Sequence, residues 1–253
     1  MSDWLVLAIA MAAACAVVLT IVAINHRRIG DDDDPSETPD VIEYMTMMIG
    51  VVYAIVLGLA IAGVWEARGG AEDTLHRETQ ALHEVRQRVQ VYPAAVRDQV
   101  RADVDAYVSY VAHTELPYML KHGENTQRGS ELLGKVRRDV TDFEPRTPLA
   151  NQAYQPVVDQ VAAADDARTA RGENAGPTMP GVVWFGLVTG ALVAVGLIFS
   201  LQIRRSRREL LLAGLYSALI AFLLFLIWDL DAPFGRDAAE AAAYFTSLFP
   251  HIG

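Results

Sequence analysis

The sequence has a single cysteine, Cys15, so an intrachain disulfide and a cysteine-based zinc site are both excluded. Lysine is almost missing: of 21 basic residues only Lys121 and Lys135 are lysine, and the formal net charge is −10. Broad contact with nucleic acid needs a basic surface, so that class of partner is set aside. No HExxH, GxSxG or phosphate-binding glycine loop is present. No catalytic constellation emerges, and the reading is a non-enzyme with no cofactor. Strand-like alternation is missing too, which points to an all-α chain. The bias toward arginine and alanine fits a high-GC bacterial coding habit.

What the sequence does have is apolar length. Hydrophobic residues make up 52% of the chain, and they are concentrated in four runs rather than spread along amphipathic elements. The runs are Trp4–Ile24, Met45–Trp65, Val182–Leu201 and Leu210–Trp228, none with an ionisable side chain inside. A hydrocarbon layer about 30 Å thick needs roughly 20 such residues in a helix. The first run lacks the basic start of a signal peptide and is read as a true span. The expectation is an integral membrane protein with four transmembrane helices and a helical extramembrane domain between two hairpins. By position, 1–66 form the first hairpin, 67–180 the helical domain, 181–235 the second hairpin and 236–253 an amphipathic tail.

Arginines orient the spans. Arg27, Arg28, Arg204, Arg205, Arg207 and Arg208 lie in the two short loops, against Arg236 alone in the tail. The short loops are therefore expected in the cytoplasm, with both termini and the middle segment outside.

The middle segment carries 14 basic and 18 acidic residues from Glu66 to Gly181. A helix is expected after Gly69-Gly70 through Leu75, Leu82, Val85 and Val89. A valine stripe follows at Val96, Val100, Val104, Val108 and Val111. A short helix capped by Ser130 continues through Leu133, Val136 and Val140, and a last one runs from about Ala150 to Arg171. Such stripes pack helices on each other; a contact between subunits or with a protein partner is the sharper alternative.

Few residues carry a functional signal. His76 and His83 share a helix face near Glu72 and Glu84, but a metal site there is much weaker than two solvated histidines. His113 with Glu115 is equally weak. Asp31–Asp34 reads as a solvated spacer without the glycine turn of a calcium loop. The end of the last run, Asp229-Leu230-Asp231-Ala232-Pro233-Phe234-Gly235, says more. Two carboxylates at a helix C-terminus meet the negative end of the macrodipole and sit at a membrane boundary. Arg68 and Arg236 lie on the same side and, with Glu66, make either a structural ion-pair collar or an acidic pore mouth. Gly186 and Gly190 form a GxxxG pair on the third run, and Gly58 and Gly63 lie on the second; all four are candidates for close helix packing. Tyr244, Phe245, Leu248 and Phe249 give the tail an apolar face, for a helix resting on the bundle or at the lipid boundary.

These pieces together resemble a family. Gly58 to Trp65-Glu66, then Glu78, Leu82 and Arg86, then Ala167 to Arg171, Pro180 to Trp184, and the 229–235 motif are similar to the bacterial bestrophin-like domain proteins, over about Val51–Gly235. The resemblance implies a four-span helical membrane protein with a helical domain between the hairpins. Bestrophins proper are pentameric ion channels, so it also implies a homo-oligomer in membrane lipid with a candidate ion path. It places the helical domain in the cytoplasm, whereas the arginine count places it outside; the expectation follows the arginines.

Overall fold

A computed structural model describes residues 40–200, 207–236 and 238–252. The first apolar run, Cys15 and the Asp31–Asp34 spacer lie outside the described residues, so a span count of four has no structural counterpart. All regular structure among the described residues is helical.

The helices are α1 (Asp40–Arg88), α2 (Ala94–Tyr110), α3 (Leu116–His122), α4 (Gln127–Thr141), α5 (Pro148–Glu173), α6 (Gly181–Ser200), α7 (Arg207–Leu230) and α8 (Ala238–Leu248). A 3₁₀ turn, Val89–Val91, follows α1, and a five-residue π-helical stretch, Val111–Glu115, joins α2 to α3. Three helices are long and apolar enough to cross a membrane, over Tyr44–Val91, Gly181–Ile198 and Leu211–Leu230. Over the described residues the chain is all-helical, with the apolar helices of a membrane protein.

Two compact units result. One contains Met1–Val64 and Met179–Leu230, the other Trp65–Thr178 and Asp231–Gly253. The tail thus belongs to the helical unit, and its apolar residues Phe245 and Phe249 are buried there with Phe234. In the apolar unit, Tyr53, Leu57 and Val64 from α1 form a core with Leu187, Ala191 and Ala194 from α6 and Ile220 and Ile227 from α7.

Gly69-Gly70 does not interrupt α1, which runs unbroken for 49 residues. Glycine costs only about 1 kcal/mol in a helix interior, and Ala71, Leu75, Leu82 and Val85 on the following turns bury completely enough to outweigh it. The short helix is capped by Thr126, not Ser130: Thr126 Oγ1 accepts from Gly129 N at 3.1 Å, one turn before the expected start. Thr147 does the same for Ala150 N at 3.1 Å, with Pro148 at the first position of α5. Gly123 closes α3 with φ of 74°, a left-handed cap that a side chain strains.

The valine stripe is spent inside the helical unit. Val100, Val104, Val108 and Val111 are fully buried against Leu82 and Val85 of α1, Leu133, Val136 and Val140 of α4, and Val157 and Val161 of α5. A protein partner of this unit has to use other residues.

Candidate functional site

Two constellations stand out, and the first is the set of charged residues around Arg68 in the helical unit. Glu66 is exposed on α1, two residues into the helical unit. Arg68 is tied twice: Nε to Glu72 Oε1 at 3.3 Å, and Nη2 to Glu240 Oε1 at 3.0 Å. Glu240 sits in the first turn of α8, where the helix dipole favours an anion. Gly235 has φ of 78°, and a Cβ there would come within 2.8 Å of Glu240 Oε2. Only glycine lets the turn after Phe234 pass this close to the carboxylate. Asp229, next to last in the apolar unit, is half-buried; Asp231, also half-buried, and the exposed Arg236 belong to the helical unit. Of the five residues read from the sequence, Arg68 is held by two partners outside that set. The sequence reading paired Arg68 with neither; the i, i+4 spacing could have found Glu72, but nothing pointed to Glu240, 172 positions away.

The second constellation is buried. Glu78, Glu115, Arg168 and Arg171 meet in the helical unit with 0–4% of each side chain exposed. Arg171 Nε donates to Glu78 Oε2 at 2.7 Å, and its Nη2 reaches Glu115 Oε1 at 2.7 Å and Glu78 Oε1 at 3.2 Å. Arg168 grips Glu115 with both terminal nitrogens, at 3.0 and 2.9 Å. Its Nη2 also donates to Thr126 O at 2.8 Å. Glu115 Oε2 accepts from Thr126 N at 3.1 Å and from the Thr126 hydroxyl. The Tyr107 hydroxyl donates to Glu78. Two carboxylates and two guanidiniums balance in charge, and their lone pairs and N–H groups are met.

Burial alone pulls the Arg171 guanidinium down, but Glu78, Tyr107 and Glu115 outweigh it, and the net direction is upward. The Tyr107 hydroxyl is pushed well above its ordinary range, first by burial and then by the charge of Glu78. It remains a phenol and a donor. The network holds α1, α2, the π stretch, α4 and α5 at one point; its groups are saturated by each other, which suits a fixed register rather than proton transfer.

The sequence motif supplied half of this. Glu78, Arg168 and Arg171 are among the residues quoted for the resemblance, and Glu115 had only a weak pairing with His113. Tyr107 and Thr126 carried no signal. The glycine that makes room is Gly129: a Cβ there would overlap Glu115 Oε2 and stand 2.7 Å from Arg168 Nη2.

A smaller polar cluster links α2 to α4. Lys135 Nζ lies 2.6 Å from Asp103 Oδ1, and Gln99 Nε2 donates to Asp103 Oδ2 at 3.1 Å. Burial raises Asp103, but hydrogen bonds from Asp139, Lys135 and Gln99 hold it below the usual carboxylate range. Asp139 is pushed upward by the same carboxyl–carboxyl hydrogen bond and then by burial, so the two carboxyls titrate as a pair.

Of the four glycines proposed for helix packing, Gly190 makes a close approach: a Cβ would stand 2.6 Å from Tyr53 Cε2. Gly58, Gly63 and Gly186 have open space there among the described residues. An apolar groove of about 610 Å³ lies in the same unit, lined by Gly50, Tyr53, Leu57, Ala194, Tyr216 and Ile220 among others. No group of three metal-binding side chains gathers among the described residues. His76 and His83 face rings of the tail instead.

Neither a curated protein nor a solved structure matches the chain. The family model of the Bestrophin-like domain matches residues 12–239.

Proposed function

The chain belongs to the bestrophin-like family, and from that premise we propose that it is a homo-oligomeric membrane protein that conducts ions, with an acidic mouth favouring cations. Glu66, Asp229 and Asp231 supply the mouth, and Arg68 and Arg236 hold its rim. One observation carries the reading. Each of the apolar stretches of α1 and α7 ends on a tryptophan followed at once by a carboxylate: Trp65-Glu66 and Trp228-Asp229. Tryptophan marks the headgroup level. Carboxylates directly beyond it face desolvation, and on α7 also the negative helix end. Carboxylates placed at that level suit a mouth where cations gather.

The test is a recording from purified protein in planar bilayers under a salt gradient. Asp229→Asn, Asp231→Asn is expected to move the reversal potential toward equal cation and anion permeability. A ratio unchanged in a folded double variant sinks the acidic mouth. Absence of current from well-inserted protein at all voltages and pH values turns the reading to a non-conducting membrane scaffold.

The orientation follows the arginines: short loops in the cytoplasm, helical unit and termini outside. Leu149 is 59% exposed on the helical unit. In a Cys15→Ala background, Leu149→Cys is expected to react with a membrane-impermeant maleimide on intact cells. Labelling only after permeabilisation reverses the orientation.

A further inference from the structure

The apolar unit has an uncovered side on α1. Tyr53, Leu57 and Val64 of that helix are buried with residues of α6 and α7. A neighbouring face carries Gly50, Ala54, Gly58 and Ala62, small residues at a spacing of four, and Ala54, Gly58 and Ala62 are exposed. A Cβ added at Gly50 or Gly58 meets nothing within 4 Å among the described residues. Gly50, Ala54 and Gly58 line the apolar groove of about 610 Å³ together with Ala194 of α6 and with Ile220 and Leu223 of α7.

Glycine weakens a helix, and fluid acyl chains do not offset that. A second helix at close range does, because small residues let the two backbones approach. The chain holds a segment of the right kind. Residues 4–24 lie outside the described residues, but by sequence range they belong to the same unit as the groove, Met1–Val64 with Met179–Leu230. They carry Ala8, Ala12, Ala16 and Thr20, again small residues at a spacing of four.

We propose that residues 4–24 occupy this groove as a helix antiparallel to α1, with the stripe Ala8-Ala12-Ala16 seated on Gly50-Ala54-Gly58.

The register follows from length. The runs 4–24 and 45–65 are both 21 residues long, enough for each to cross the hydrocarbon layer once. The link 25–39 joins their facing ends, so 24 stands level with 45, and 4 with 65. Level with Ala8, Ala12, Ala16 and Thr20 are then positions 61, 57, 53 and 49. Each is one residue, about 1.5 Å of rise, from Ala62, Gly58, Ala54 and Gly50. Two four-rung stripes therefore meet with no shift in the depth of either helix. Leu5, Met11 and Leu19 flank the alanines on the same side of the run and supply the volume that alanine leaves. No charge enters the groove, since residues 4–24 contain no Asp, Glu, Lys, Arg or His.

Two other occupants compete. A second copy offers the same alanines, but the link 25–39 holds the chain's own run at about millimolar effective concentration. An acyl chain fills volume but does not match a fixed row of small residues rung for rung. The docking is independent of whether the chain conducts.

The experiment is disulfide trapping in the full-length protein in native membranes, in a Cys15→Ala background. One pair is Ala12→Cys with Gly58→Cys; the other is Ala16→Cys with Ala54→Cys, which keeps both glycines. Closure needs Cα atoms within about 7 Å, which is met only where the stripes touch. The control, Ala12→Cys with Val56→Cys, puts the second thiol about 200° round α1 from position 58. Mild oxidation is expected to link both groove pairs within one chain, about tenfold or more faster than the control. The link is read as a cross-linked peptide by mass spectrometry and as a monomer band that shifts on reduction. Failure of both groove pairs to close overturns the proposal and leaves the groove to lipid. Linked dimers in place of linked monomers overturn it in favour of a second copy. Equal linking of the Val56 pair overturns the register and with it the seat on Gly50-Ala54-Gly58.

Discussion

Arg171→Met is expected to cost the helical unit about 3–5 kcal/mol, the range for removing one partner of a buried ion pair. The cost lies in the groups left behind. Glu78, fully buried, keeps the Tyr107 hydroxyl but loses both guanidinium contacts. Glu115 keeps Arg168. One negative charge is then left without a counter-charge in a dry core, and methionine beside Met119 supplies volume but no donor. Glu78→Met with Arg171→Met removes a neutral pair and is expected to recover most of the loss. About 1–3 kcal/mol stays behind because the buried Tyr107 hydroxyl loses its acceptor. Unfolding of the two single variants and the double variant in detergent gives the coupling directly. A single variant within about 1 kcal/mol of the parent would mean that the four charges do not meet as described.

The geometry behind this is local. From Ala94 to His122 the chain is helical without a break, yet five residues, Val111–Glu115, adopt the wider π turn. A π turn inserts an extra residue into the helical repeat and so rotates the next turn of the helix about its axis. Glu115 is thereby turned into the core while Val111 and Leu116 on either side stay buried. The α4 N-terminus then meets Glu115 with Thr126, whose backbone N–H and hydroxyl both donate to the carboxylate. The same hydroxyl caps α4. One threonine thus satisfies a helix end and a buried acid at once, an economy open to a hydroxyl because it both donates and accepts.

Sequence reasoning reached the helices and missed the joints, for reasons that can be named. The apolar periodicity of Val96–Val111 placed α2, and the run expected from about Ala150 to Arg171 placed α5, because burial of one face dominates helix formation. Gly69-Gly70 looked like a break because glycine's cost is local and visible, whereas the burial that offsets it on the following turns comes from distant segments. Thr126 was passed over for Ser130 because several hydroxyl residues near a helix start are all plausible caps, and the choice is made by Glu115, eleven positions away. Arg168 and Arg171 were legible as a motif but not as a buried pair, since isolated arginines on a polar helix read as solvated. The π stretch has no sequence signal at all: its cause is the match between Glu115 and two arginines more than fifty residues on. The tail was left between the bundle and the lipid boundary; Phe245 and Phe249 set it on the helical unit, a choice that depends on a receiving surface built from α1, the π stretch and α3.

In the apolar unit the decisive residue is Gly190. An added Cβ would stand 2.6 and 2.7 Å from Cε2 and Cδ2 of Tyr53, closer than side-chain carbons approach. Those are ring atoms of a buried residue whose hydroxyl donates to Leu187 O at 2.9 Å, so the ring cannot swing away without losing that bond. Gly190→Val is therefore expected to cost about 1–3 kcal/mol by overpacking, and about 0.6 to 2 kcal/mol more if the hydrogen bond between helices breaks. Tyr53→Phe isolates the second contribution, and Tyr53→Ala with Gly190→Val tests whether space for the new side chain restores the packing of α1 on α6. Gly186→Val is the contrast, one helical turn earlier and with nothing within 4 Å among the described residues. It is expected to change stability by less than about 0.5 kcal/mol. Unfolding in detergent reads all four. An equal loss at Gly186 would place another helix against that face, from the same chain or a second copy, and would show that both halves of the GxxxG pair are used.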